Sequence, residues 1–201
     1  MKLQILTITL LALFASCGDA KQKQNDAKEY RELAKEAYIY AFPAVEHNKA
    51  IWAVMEEFKT PANKFISNTA LFTHEHTTVV SPNNDTFYSY AICDIRNEPV
   101  VISVPLIENR YFCIQLCDIF TNCPDYISTL ATGKGPGNYM IARSDWNGTI
   151  PAGIDKVIKI PATVVLALGR TQVFGPEDEL AGPIAKSYTA MTLSQLTGTT
   201  P

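Results

Sequence analysis

The chain has 201 residues, of which 47% are hydrophobic and 18% are charged, and its formal net charge is −3. These values are those of a globular protein with a core and exclude a disordered chain. The sequence has no run of Lys and Arg, which excludes the electrostatic footprint of a nucleic-acid-binding protein and a polybasic membrane patch.

The first sixteen residues have the form of a secretion signal. Lys2 supplies a positive start, and residues 3–15 are mostly apolar but too few to span about 30 Å of hydrocarbon comfortably. Phe14-Ala15-Ser16-Cys17 is similar to the lipobox of bacterial lipoproteins, so we expect Cys17 to carry lipid, such as palmitate; the alternative is an ordinary signal peptide with a chance cysteine. Residues 17–27 are polar, as expected of a tether. These features predict an anchor in a membrane of the bacterial cell envelope, with the protein facing outside the cytoplasm.

Two helices are predicted before residue 61. Asp26 and Glu29 have the spacing of a capping box, and an apolar stripe follows at helical intervals. This stripe consists of Tyr30, Leu33, Ala34, Ala37, Tyr38 and Ala41. Pro43 is expected to end or kink the helix because proline lacks the N–H that the next turn needs. A second stripe of Val45, Trp52, Met55 and Phe58 predicts a helix that ends near Thr60.

After Pro61, short β-branched and aromatic runs alternate with Gly, Pro, Asn and Asp, which is typical of strands and turns. Strands are predicted at residues 77–80, 86–94, 100–104, 111–118, 139–142, 156–160 and 164–169. Helical spacing returns at 176–196. We therefore predict an α+β, mainly β fold over residues 28–196, followed by a tail at 197–201. Its N-terminal helices pack on an antiparallel β-sandwich or partial barrel, which a short C-terminal helix closes.

Four cysteines follow Cys17, namely Cys93, Cys113, Cys117 and Cys123. In an oxidising envelope they allow three disulfide pairings. Cys113 and Cys117 are predicted on one strand, about 13 Å apart, which is too far for a bridge. Without a C-x₂-C motif, structural metal ligation is not expected either. Buried free thiols are the default interpretation.

The densest polar segment is Pro82-Asn83-Asn84-Asp85, followed by Tyr88. Asn and Asp favour turns because their side chains bond their own backbone, so a turn between two strands explains the segment. Alternatively, two amides, a carboxylate and a phenol converge on a polar ligand at the mouth of a sheet. The sequence leaves both interpretations open.

Several ordered motifs together resemble a known family. They are Ala37–Pro43, Val79–Ser89, Glu98–Pro105, Arg110-Tyr111 with Gln115–Asp118, Asn122, Thr132-Gly133, Trp146–Gly153, Leu168–Thr171 and Gly175-Pro176. The chain resembles domain of unknown function 1254 from about Glu29 to Leu196. The resemblance implies a bacterial envelope or secreted protein whose activity is not settled. It also implies a β-rich companion, domain of unknown function 1214, as a further domain or separate chain.

Within these motifs we select seven candidate ligand-binding residues. They are Asn83, Asn84, Asp85, Tyr88, Arg110, Tyr111 and Gln115. Arg110 is expected to hold a ligand carboxylate or to pair with Asp85, and the alternative is a purely structural Arg110–Asp85 pair. Asp85 and Asp118 are the candidate catalytic carboxylates, because glycoside hydrolysis uses two facing carboxyl groups.

His74 and His76 invite a metal interpretation, because two His residues at this spacing on a strand point the same way. No third ligand is assignable from the sequence, so we expect neither a metal nor a cofactor. Three functions stay open: a binding or accessory module for a polar small molecule or saccharide, a carbohydrate-active hydrolase, and the N-terminal half of a split or truncated two-domain protein.

Overall fold

The computed structural model describes residues 2–59, 61–77 and 81–200, without the side chains of residues 2–24, Val54 and Phe58. The predicted lipidation residue Cys17 therefore has no described side chain, and the signal and tether stay predictions. The chain forms two compact units, residues 1–45 and 46–201, and each is considered by itself. Among the described residues, we find no helix whose length and apolar character suit a membrane crossing.

The N-terminal helix begins earlier than predicted, and it ends at Phe58, close to the predicted end near Thr60. Helix α1 spans Lys2–Phe58 and contains Pro43, so the predicted start at Asp26 is wrong and the helix does not end at Pro43. The alternative, a kink at Pro43, stays a prediction. A proline removes only one helical hydrogen bond, and the Ala and Glu residues around Pro43 favour helix on both sides. In the part of α1 that belongs to the second unit, the buried residues among the described side chains are His47 and Ile51, one turn apart, whereas Trp52 is 57% exposed. The predicted apolar stripe therefore does not mark the buried face.

Nine strands and two short helices follow α1 in the described part of the chain. The strands are β1 (Ile66–Asn68), β2 (Thr86–Asp94), β3 (Val100–Val104), β4 (Phe112–Cys117), β5 (Asp125–Ser128), β6 (Gly137–Arg143), β7 (Lys156–Ile160), β8 (Val164–Gln172) and β9 (Thr189–Thr192). The helices are α2 (Ala181–Lys186) and α3 (Leu193–Thr197). The predicted C-terminal helix is therefore two helices with β9 between them.

The predicted bounds of β2, β3 and β7 are confirmed, and β4, β6 and β8 are confirmed with shifted ends. The strands that were not predicted, β1, β5 and β9, have three or four residues, too few to show a clear alternation. The strand predicted at 77–80 falls mostly on residues 78–80, which lie outside the described residues.

The strands form two sheets. One has the order β1-β2-β8-β4-β5 and the other β7-β6-β3-β9. All pairings are antiparallel except β6 with β7, which is parallel. A hydrophobic core lies between them, with Ala91, Phe112 and Val165 from the first sheet and Ile102 and Ile141 from the second. The α+β, mainly β fold is therefore confirmed, with a two-sheet sandwich as its centre.

Strand β8 is central to the five-stranded sheet and shows how the sandwich follows from the sequence. Its residues alternate between intermediate and full burial along the whole strand. Val165, Ala167 and Thr171 point into the core, so Leu166, Leu168 and Arg170 lie on the opposite side. That outward side carries the polar groups described next.

Candidate functional site

The outward side of the five-stranded sheet gathers polar and aromatic side chains from three neighbouring strands. Tyr88 on β2 and Cys113 on β4 are both paired with Arg170 on β8, and Gln115 is paired with Leu168. Because directly paired residues share a face, these side chains meet on one surface. We call this surface, defined by Tyr88, Tyr90, Cys113, Gln115, Leu168 and Arg170, the Arg170 face.

Arg170 is at the centre of this face and is half-buried. Its Nη1 donates to Oε1 of Gln115 at 2.9 Å, and its guanidinium lies 5.5 Å from the centre of the Tyr88 ring. Among the side chains that the structure describes, no carboxylate lies within 4.0 Å of Arg170, whereas Arg96, Arg110 and Arg143 each have one. A guanidinium has five N–H donors in a planar fork, so Arg170 keeps donors for a further acceptor.

Aromatic rings flank the guanidinium on the β2 side. The Tyr88 and Tyr90 rings are stacked with centres 6.1 Å apart, and Phe72 meets Tyr88 edge-on at 5.3 Å. The Tyr88 hydroxyl accepts the backbone N–H of Asn83 at 2.9 Å, which ties the preceding turn to the face. Burial, together with the neighbouring Tyr88, raises the pKa of Tyr90 to about 12. Tyr90 is therefore a neutral hydroxyl at physiological pH.

Thiols and phenols border the face on the β4 side. Nε2 of Gln115 donates to Sγ of Cys123 at 2.8 Å, so both ends of the Gln115 amide are held. Burial and a hydrogen bond with Cys113 raise the pKa of Tyr111, and the adjacent Cys123 thiol raises that of Tyr126. Tyr111 and Tyr126 are each 39% exposed. Two neutral phenols thus reach solvent at this edge.

The structure brings four of the predicted ligand-binding residues together. Tyr88 and Gln115 contact Arg170, Asn83 bonds Tyr88, and Tyr111 lies next to Cys113 on the same side. Asn84 and Asp85 are exposed, and the backbone N–H of Asp85 donates to Oδ1 of Asn83 at 2.7 Å. The turn interpretation of Pro82–Asp85 is therefore confirmed for Asn83 and Asp85.

Arg110 lies elsewhere and has a different partner from the one predicted. It binds Asp178 through two hydrogen bonds of 2.6 and 3.1 Å and also donates to the Gln172 carbonyl at 2.9 Å. The two side chains are 5% and 7% exposed. The predicted Arg110–Asp85 pair is wrong. Asp178 is favoured because the turn that begins at Gly175 lets its carboxylate also accept the N–H groups of Phe174 and Leu180.

The proposed pairing of Asp85 and Asp118 as acid and base is also wrong. Thr86, next to Asp85, is paired with Gln172, and Cys117, next to Asp118, is paired with Leu166. Positions 172 and 166 are separated by about 20 Å along β8, at about 3.3 Å per residue, and each aspartate lies one residue further out. Glycosidase carboxyl groups lie below about 10 Å from each other, so these two cannot act on one bond.

The Asp118 carboxylate instead organises the turn after β4. It accepts the backbone N–H groups of Phe120 and Asn122 and the side-chain amide of Asn122, at 2.8 to 3.0 Å. It also acts on His47 of α1, which sequence inspection did not select. Burial lowers the pKa of His47, and the Asp118 charge offsets part of this effect. Nε2 of His47 has no hydrogen-bond partner in the part of the chain that the structure describes.

His74 and His76 do not lie on a strand, so the premise for their metal interpretation is wrong. Nδ1 of His76 accepts the backbone N–H of Thr73 at 3.0 Å, and its ring contacts Phe72. Over the described residues, no three His, Cys, Asp or Glu side chains are grouped as metal ligands. The turn therefore uses His76 for local hydrogen bonding.

Arg170 is the central residue that the candidate list lacked. It falls within the Leu168–Thr171 motif, but only the pairing of β8 with both β2 and β4 places it beside Tyr88 and Gln115. A signal existed in the sequence: after Val164, Leu166 and Leu168, an arginine takes the next position on the same side of the strand. A charge that interrupts an apolar face is a reason to suspect a site.

A family model described as protein of unknown function (DUF1254) matches residues 62–195. None of the curated proteins compared with this chain matches it. The VPA0106 protein from Vibrio parahaemolyticus has a similar crystal structure, with 29% identity and a TM-score of 0.70 over 84% of this chain and 40% of that one. This chain thus spans about two-fifths of the length of the Vibrio protein.

An uncharacterized protein from Burkholderia cenocepacia has 11% identity and a TM-score of 0.43, covering 67% of this chain and 36% of its own, which is too low to support an argument. The match to the family model spans β1 to β9 and includes every residue of the Arg170 face. The chain therefore belongs to the family described as protein of unknown function DUF1254.

Proposed function

We propose that this protein is a lipid-anchored envelope protein that binds a polar ligand of the saccharide class on its Arg170 face. The observation that supports the proposal most strongly is Arg170 itself, which is half-buried without a carboxylate partner among the described residues. Removing a cation from water costs free energy unless it is paired. A ligand that supplies an acceptor would recover part of that cost.

The groups around Arg170 suit a ligand with both hydroxyl groups and an acidic group. Guanidinium binds carboxylate through two parallel hydrogen bonds, which a planar fork favours. The buried Tyr88 and Tyr90 rings support the guanidinium from below, and Tyr111 and Tyr126 add phenols that reach solvent. Small-molecule sites typically combine an aromatic or apolar surface with a small number of polar groups. An acidic sugar combines the features that this surface recognises.

The membrane anchor is a proposal from the sequence alone. Phe14-Ala15-Ser16-Cys17 supplies the cleavage and acylation signal, and several acyl chains on one cysteine hold a protein firmly. Expression with an alkyne-labelled palmitate should label the wild-type chain and move it to the membrane fraction. The Cys17→Ser variant should be unlabelled, and equal labelling of both would contradict the proposal.

The binding proposal is tested by thermal unfolding of the full chain with glucuronic acid and with glucose. A ligand at one hundred times its dissociation constant adds about 2.7 kcal/mol, which raises the melting temperature of a domain of this size by several degrees. We expect glucuronic acid to raise it in the wild type and not in Arg170→Met, which keeps an apolar stem of similar length.

Arg96→Met is the matched control, because Arg96 is an exposed arginine that binds Asp94. It should respond to glucuronic acid as the wild type does. An equal response in Arg170→Met and the wild type would place binding elsewhere. If neither sugar changes the melting temperature of the wild type, the saccharide assignment is wrong.

A further inference from the structure

Cys117 and Cys123 bring their sulfur atoms within 3.5 Å of each other. Cys117 ends β4, and Cys123 follows the turn that leaves this strand. Both thiols are free and half-buried, whereas Cys93 and Cys113 are buried. We propose that Cys117 and Cys123 are a disulfide-forming pair that closes the turn beside the Arg170 face.

The turn holds the two cysteines together independently of any bond between them. The backbone N–H of Asp118 donates to the Asn122 carbonyl at 2.9 Å, and that of Thr121 donates to the Asp118 carbonyl at 3.0 Å. The Asp118 carboxylate accepts three further hydrogen bonds from Phe120 and Asn122. A disulfide has a sulfur–sulfur distance of about 2.05 Å, so the two sulfur atoms must approach each other by about 1.5 Å.

The other two cysteines are poorly placed to pair with Cys117. Cys93 belongs to the core between the sheets, on the opposite side of the five-stranded sheet. Cys113 and Cys117 lie four residues apart on β4, which is about 13 Å. Neither Cys93 nor Cys113 can therefore reach Cys117 without unfolding part of the sheet.

The reaction needs an oxidant, which is the disulfide of a thiol–disulfide oxidoreductase or of a small thiol. The Cys123 thiolate attacks that disulfide, forms a mixed disulfide and releases one thiol of the oxidant. The Cys117 thiolate then attacks the Cys123 sulfur and releases the second thiol. Two protein thiols are oxidised, and one external disulfide is reduced to two thiols. Burial and the Cys123 thiol raise the pKa of Cys117 to about 12, which agrees with Cys123 attacking first.

The bridge also changes the Arg170 face. Cys123 Sγ accepts from Gln115, whose other end accepts from Arg170. Moving Cys123 toward Cys117 therefore shifts the acceptor that positions the Gln115 amide. The proposed disulfide itself does not depend on saccharide binding, and the two proposals fail separately.

The test uses the full chain with Cys17→Ser, so that only the four thiols of the fold remain. The reduced protein is incubated with glutathione disulfide, unfolded in urea, alkylated with iodoacetamide and digested with trypsin. Trypsin leaves one peptide, residues 111–134, that contains Cys113, Cys117 and Cys123, and another, residues 65–96, that contains Cys93. We expect the first peptide to carry a single alkyl group, on Cys113, and an internal disulfide.

Cys117→Ser and Cys123→Ser should each abolish the internal disulfide, whereas Cys93→Ser should keep it. Oxidation should also raise the melting temperature by several degrees in the parent and not in Cys123→Ser. An unchanged melt of reduced Cys123→Ser against the reduced parent shows that the variant folds. Three alkyl groups on the first peptide after oxidation, or a bridge that involves Cys113, would overturn the proposal.

Discussion

Replacing Asp178 by asparagine tests how much of the fold depends on one buried ion pair. Asp178 binds Arg110 through two hydrogen bonds, and both side chains are almost completely buried. Asparagine keeps the shape of the side chain but leaves the Arg110 cation without a counter-charge. The amide nitrogen of asparagine is itself a donor, so it cannot accept the N–H groups that a carboxylate oxygen of Asp178 accepts.

The expected loss of stability is large because the Arg110 charge, left without its partner, cannot reach water. Breaking a buried ion pair by removing one partner costs about 3–5 kcal/mol. For a domain of this size, 1 kcal/mol corresponds to about 2–4 °C. We therefore expect Asp178→Asn to lower the melting temperature by about 10 °C at pH 7. The exposed Arg143–Asp145 pair is the matched control, and Asp145→Asn should leave the melting temperature nearly unchanged.

The stabilisation that Asp178 provides should depend on pH in a defined direction. Hydrogen bonding to Arg110 holds the pKa of Asp178 far below its usual value near 3.8. The stabilisation is therefore complete above the pKa of the unfolded chain and is lost as pH falls below it, by about 1.4 kcal/mol per pH unit. Urea unfolding should show the gap between wild type and Asp178→Asn shrink by about 1 kcal/mol from pH 7 to pH 3. A gap below 1 kcal/mol at pH 7, or one that grows at pH 3, would refute the reasoning.

Three further predictions concern single side chains. His47→Leu should be neutral or stabilising at pH 7 and stabilising at pH 5. Burial lowers the pKa of His47, so the wild-type protein loses stability as pH drops below about 6.5, whereas the variant does not; urea midpoints at both pH values check this. Glu98→Ala should cost about 1–3 kcal/mol and raise amide exchange in α3, because Glu98 accepts from the N–H and hydroxyl of Ser194 at 2.6 and 2.7 Å. Gly135→Ala should cost more than about 1 kcal/mol in a thermal melt, because Gly135 has φ +75° and a Cβ there would lie 2.3 Å from the Pro105 carbonyl oxygen.

The strands that could be predicted are those whose pattern is local. Residues 86–94, 100–104 and 156–160 contain β-branched or aromatic runs between turn residues, and their bounds are confirmed. Strand β9 was missed because Thr189–Thr192 is held by pairing with β3, about ninety residues earlier in the chain. Its own residues fit the helical spacing equally well, so nothing local distinguishes the two structures.

The candidate site also contains features that depend on neighbouring residues and features that depend on distant ones. The Asn83 turn depends on bonds between neighbouring residues, and sequence reasoning found it. The partner of Arg110 is Asp178, 68 residues away, and no spacing rule connects them. The separation of Asp85 from Asp118 depends on the register of β2 and β4 against β8. Residue type identified several of the polar groups but not Arg170, and only the sheet register decides which of them meet.

The two arginines at this end of the sheet show why binding and stability need separate variants. Arg110 binds the Gln172 carbonyl and Asp178, so it fixes the end of β8 two residues beyond Arg170. Weaker ligand binding in an Arg110 variant would therefore report a displaced β8 as readily as a lost contact. Arg170→Met leaves that anchor in place, and Asp178→Asn removes it while keeping the Arg170 side chain. If Arg170→Met loses ligand binding with an unchanged melting temperature, Arg170 contacts the ligand. If Asp178→Asn lowers the melting temperature, the Arg110–Asp178 pair stabilises the end of β8.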